Sequence, residues 1–62
     1  MSDRYSHAYD RMNRAAALLL TDDSPEGQTL LHLMIDNELY GDELMTAIEA
    51  AERYLLEKGE TL

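Results

Sequence analysis

Two punctuation points divide this chain: Ser24-Pro25-Glu26 and Tyr40-Gly41-Asp42. A serine, a proline and then an acid form a helix start: a cap, a ring already set at helical φ, and a negative charge at the positive end of the dipole. A glycine followed at once by aspartate reads as a C′ residue and then a new cap. Between these points the sequence is helically periodic. Tyr5, Ala8, Tyr9, Met12, Ala15, Ala16 and Leu19 recur at the i, i+3, i+4, i+7 steps of one helix face. Ser2 is the expected cap of that helix, with Asp3 in its first turn. Asp22 and Asp23 oppose the negative end of the dipole, so it should stop near Leu20 or Thr21.

Helix two carries Leu30, Leu31, Leu33, Met34 and Ile35, which cover more than half of its circumference in projection. Such a stripe predicts the central element, touching both other helices or a second subunit. Helix three turns Leu44, Ala47, Ile48, Ala51, Tyr54 and Leu55 inward and Glu43, Glu49, Glu52, Arg53 and Glu57 largely outward. Lys58 suits its C-terminus, and Gly59 ends it. No strand-like alternation competes. The expectation is an all-α, compact three-helix bundle with helices over 3–20, 25–39 and 43–58, forming one domain over 1–62.

Size then bears on assembly. A single core in 62 residues rarely supplies more than roughly 3–5 kcal/mol, and small domains usually add a disulfide, a metal or a second subunit. The chain has no cysteine and only two histidines, His7 and His32. By elimination a homodimer is expected, with Leu30, Leu31, Met34 and Ile35 of helix two at its interface. The apolar run Ala15 to Leu20 is too short for a membrane span or a signal core. A cytoplasmic protein is the expectation, in the host cytoplasm if phage-encoded.

Charge is distributed unevenly. Residues 1–20 hold Arg4, Arg11 and Arg14 against Asp3 and Asp10, whereas residues 21–62 hold eleven carboxylates against Arg53 and Lys58, within a total of −8. A surplus of this kind disfavours anionic membranes and nucleic acid as partners and favours a basic protein surface. Arg4, His7, Arg11 and Arg14 step along one side of helix one and form a secondary docking stripe. Glu38, Tyr40, Glu43, Glu49 and Glu52 are the expected partner contacts, with charge setting the on-rate and the tyrosine the residence time.

Chemistry in the narrower sense finds little footing. General acid–base catalysis needs a shielded carboxylate pair, and the carboxylates here fall on outer faces or in turns. No glycine-rich phosphate loop is present. His32 and Asp36 share a helix face, but one such pair does not close a four-ligand metal site. Asp22, Asp23 and Glu26 lack calcium-loop spacing. No enzyme activity, cofactor or metal is expected.

Leu30-x-x-Leu33 together with Asn37 to Leu44 resembles the closing helical segment of membrane-anchored, FtsH-type zinc metalloproteases. That resemblance implies a Leu-rich helix, an acidic turn and a further helix; the HExxH motif that carries the family's activity is absent. In type, the chain resembles small acidic accessory proteins of phages and plasmids, including anti-restriction and anti-CRISPR inhibitors. This resemblance implies an inhibitor of a host nucleic-acid-handling protein whose carboxylates imitate the phosphates of a duplex. Two alternatives stand beside it: an assembly protein whose role is its own helical oligomer, and a small nucleic-acid-binding regulator using the helix-one arginines. A Rop-type hairpin is excluded because Pro25 and Gly41 interrupt the two long helices it needs.

Overall fold

The computed structural model describes residues 7–36 and 38–62. The predicted Ser2 cap, the first turn with Asp3 and Arg4, and Tyr5 lie outside the described residues. Three helices follow in order, α1 (Ala8–Leu20), α2 (Pro25–Asp36) and α3 (Gly41–Glu57), and each packs against the other two. Among the described residues there is no strand, and no helix is long and apolar enough to cross a membrane.

The core is built unequally. Ala8, Ala15 and Leu19 enter it from α1, Leu31 and Met34 from α2, and Leu44, Met45, Ala47, Ile48, Ala51 and Leu55 from α3. Leu19, Met45, Ile48 and Leu55 are the largest side chains wholly removed from water, each worth about 1.5–3 kcal/mol relative to exposure. Alanines at 15, 47 and 51 let the helix backbones approach one another. α3 supplies the largest share of this core, while α2 touches both other helices, as its apolar circumference suggested. Among the described residues no further element covers the far side of α2, and Leu33 and Ile35 are left on the surface. Of the predicted helix-two interface, Leu31 and Met34 lie inside this chain's own core, Leu30 is partly buried, and Ile35 is exposed. Tyr9 departs from expectation in the same way: its ring points outward, and Ala8 and Met12 fill the inner side of α1.

The predicted cap at Ser24 is present. Its Oγ accepts the Gly27 N–H at 3.1 Å, with Pro25 at the first helical position. Gly59 also acts as expected. At φ +93° it closes α3, with the Gly59 N–H on the Leu56 carbonyl and the Glu60 N–H on the Leu55 carbonyl, the paired bonds of a Schellman motif.

Asp22 ties this end together. Its carboxylate accepts the Ser24 N–H at 3.0 Å and the Tyr54 hydroxyl at 2.5 Å, with Lys58 Nζ at 3.5 Å. The Ser24 hydroxyl bonds to the Tyr54 oxygen in turn. Because the Tyr54 proton goes to Asp22, Ser24 supplies the proton of that second bond, giving a directed chain from Gly27 N–H through Ser24 and Tyr54 to Asp22. Gln28 fastens the same turn through the Asp22 and Leu19 carbonyls, at 2.8 and 3.3 Å. Space for the carboxylate comes from Gly27, where a Cβ would stand 2.4 Å from Asp22 Oδ2. The side chain is only 12% exposed. The Tyr54 and Ser24 bonds, with the Lys58 charge, hold its pKa down to about 2.

Two outcomes are expected. Gly27→Ala should lower stability by about 1–3 kcal/mol through overpacking, although alanine is the better helix former by about 1 kcal/mol. In an Asp22→Ala background the same substitution should turn stabilising, as read by urea unfolding of the four proteins. A depressed carboxylate pKa adds stability above the unfolded value and loses it as pH falls through the folded value. The stability advantage of the native chain over Asp22→Asn should thus be complete above about pH 4 and vanish as pH falls through about 2, as followed by thermal melts across that window.

Candidate docking surface

At the opposite end of the bundle α1 begins, α2 ends and α3 begins. α2 stops at Asp36, three residues before its expected end at Leu39, and α3 begins at Gly41. Glu38 (φ +49°) and Gly41 (φ +52°) both take the left-handed conformation. For glycine this costs little, whereas a side-chain-bearing residue is held there against a penalty of roughly 1–2 kcal/mol. No heavy atom lies within 4 Å of a Cβ built on Gly41, so backbone conformation and not crowding accounts for the glycine. Gly41 opens α3 instead of closing α2, and Asp42 lies inside the helix, where its carbonyl accepts the Thr46 hydroxyl. The cap position falls to Tyr40, in extended conformation, whose carbonyl accepts the Glu43 and Leu44 N–H groups at 3.1 and 3.3 Å.

This turn leaves apolar surface uncovered. Tyr40 is 75% exposed, Tyr9 67% and Ile35 48%, and these three stand around a groove of about 290 Å³. Met12, Met34, Leu39 and Leu44 form its inner lining, and Glu38 stands beside Tyr40. A second groove of about 310 Å³ runs between α2 and α3, lined by Leu33, Leu39, Ala47 and Ala50, with Thr46 and Glu43. Leu39 belongs to both. The second groove is largely hydrocarbon and the first is mixed, and each has a single carboxylate in its lining.

Acidic residues are concentrated in the sequence of this corner. Residues 15–52 contain no lysine or arginine, while Asp36, Glu38, Asp42 and Glu43 fall within eight consecutive positions. Asp36 is bonded to His32 Nδ1 at 2.5 Å across one helical turn. Among the described residues neither Glu38 nor Glu43 meets a cation.

Of the five predicted partner contacts, three converge here: Glu38, Tyr40 and Glu43. Glu52 is engaged elsewhere. It receives Arg11 in a two-pronged contact, Nε to Oε2 at 3.0 Å and Nη2 to Oε1 at 2.6 Å. That bond raises the pKa of Arg11, aided by the charges of Glu52 and the nearby Glu49. Arg11 thus joins α1 to α3, and the pair spends one member of each predicted surface on the other. Arg14 pairs with Asp10 on the exposed side of α1 at 3.3 Å, His7 is exposed, and Arg4 lies outside the described residues. Periodicity did not single out Tyr9 and Leu39 as site residues, and it assigned Ile35 to a dimer interface and not to this groove. Their signal was the surplus apolar width of helix two. Among the described residues, no three His, Asp or Glu side chains cluster closely enough to hold a metal ion.

The two classes of carboxylate should separate by stability. Glu52→Gln should cost about 0.5–1 kcal/mol, the range of a well-formed, partly exposed ion pair. Glu38→Gln should stay within about 0.5 kcal/mol of the native chain. Chemical denaturation at low ionic strength checks both.

Comparison of the chain with protein-family models, with curated proteins and with solved structures finds no match in any of the three. The resemblance of its middle third to the metalloprotease segment is thus unaccompanied by a family match, and the corner is read from its own chemistry.

Proposed function

We propose that this chain is a small acidic protein-binding module that acts by surface contact on a basic protein, an inhibitor or modulator of a nucleic-acid-handling protein being the reading its charge favours. One observation carries this: the α2–α3 corner combines exposed Tyr40, Tyr9 and Ile35 with Glu38 and Glu43, neither of which meets a cation among the described residues. Apolar rings that remain in water beside uncompensated charge make a contact patch, since they give a partner both area to bury and a field to follow. Carboxylates of this density also compete with a polyanion for the same lysines and arginines.

The assembly reading draws less support. Leu31 and Met34 are already used inside one chain, and the exposed remainder of α2 adjoins the acidic corner, which a symmetric dimer would set against itself. A role for α1 in binding nucleic acid is weakened because Arg11 and Arg14 both have acidic partners.

Immobilised protein should retain a partner from a bacterial lysate at low ionic strength and release most of it near half-molar salt, where the screening length falls to about 4 Å. Tyr40→Ala should shorten the partner's residence several-fold, whereas Glu38→Gln with Glu43→Gln should chiefly slow its association. Retention indifferent to both salt and these substitutions would overturn the reading.

A further inference from the structure

The two grooves at the corner have the dimensions and lining of a divided seat. They are close to equal in volume, about 290 and 310 Å³, and Leu39 belongs to the lining of both, so they adjoin. Two apolar side chains on one face of a partner helix, roughly 5–6 Å apart at Cβ when a turn separates them, can enter adjoining depressions. An extended segment is a poor occupant. Adding a strand requires an open sheet edge, and among the described residues there is none. A helix satisfies its own backbone and presents apolar side chains on one face, so it needs no such edge.

Charge then selects the chemistry of that helix. Glu38 lines the first groove and Glu43 the second, so each apolar slot has its own carboxylate. A second copy of this chain fits badly. Two acidic corners would repel, and the described arginines of α1 are paired with Glu52 and Asp10. A nucleic acid is excluded from this seat by its own phosphates.

We infer that the grooves flanking Leu39 form one bipartite seat for an amphipathic helix of another protein, with two apolar anchors a turn apart and lysine or arginine beside each anchor. This rests on the protein-binding reading above and specifies the partner's recognition element. The anchors enter the slots beside Tyr40 and beside Ala50, and the flanking cations meet Glu38 and Glu43.

The test uses the full chain and two synthetic peptides of about 18 residues, long enough to hold a helix. One carries leucines at i, i+4 and i+7 flanked by lysines; the other replaces those lysines with glutamates. Amide chemical shifts of the labelled protein should move around Leu39, Tyr40, Ala47 and Ala50 with the lysine peptide and not with the glutamate peptide. Its affinity should fall about tenfold between low and physiological salt. Ala50→Lys should block the second slot, and Tyr40→Ala should weaken the first, each with the thermal transition of the native chain.

Equal binding of both peptides, or shifts centred on Arg11 and Glu52, would overturn the inference. Absence of lysine-peptide binding, alongside salt-sensitive capture of a protein that ignores Ala50→Lys and Tyr40→Ala, would overturn the seat and leave the general reading standing. If salt-sensitive capture is absent as well, both fall.

Discussion

A buried or half-buried carboxylate is costly unless its lone pairs are met, and Asp22 meets that condition using groups from two elements at once. Ser24 belongs to the start of α2, whereas Tyr54 and Lys58 belong to the end of α3. Neither a cap alone nor a tertiary contact alone would register α3 against the α1–α2 turn. The shared acceptor does both, so helix initiation and helix docking become one event. In a chain with no disulfide and a core of modest size, such a junction supplies the specificity that hydrophobic burial, which has no direction, does not.

Much of the fold was legible locally. The α1 stop near Leu20, the Ser24-Pro25 start and the Gly59 termination depend on residues within a few positions of one another, and each is found as read. What failed was whatever depends on a neighbour distant in sequence. The wide apolar stripe on α2 does meet both other helices, but which of its residues stay in water, here Leu33 and Ile35, depends on neighbours distant in sequence. Tyr9 follows the same rule. The bond between Asp22 and Tyr54 spans 32 residues, and no local spacing encodes it. A faint local signal did exist: Gly27 sits inside a helix, where glycine costs about 1 kcal/mol against alanine, and such a position usually marks a close approach.

The candidate surface was half legible for a related reason. Charge is additive along a sequence, so the acidic character of the segment from Glu38 to Glu43 could be read without coordinates. Pairing is not additive. Arg11 and Glu52 were each assigned to a surface, yet they lie 41 positions apart and neutralise each other. Glu38 and Glu43 at the turn meet no cation among the described residues, and Glu38 and Gly41 there take the left-handed conformation.

The junction and the grooves lie at opposite ends of the bundle, and this arrangement bears on how the molecule can change over time. A substitution at Tyr40, Ile35 or Ala50 touches none of the groups that register the helices, so recognition can drift while the scaffold persists. Within the corner itself, the left-handed positions and the buried Met34 and Leu44 are the constrained ones. A lineage built on this frame could exchange one protein target for another through a handful of surface replacements, without refounding its architecture.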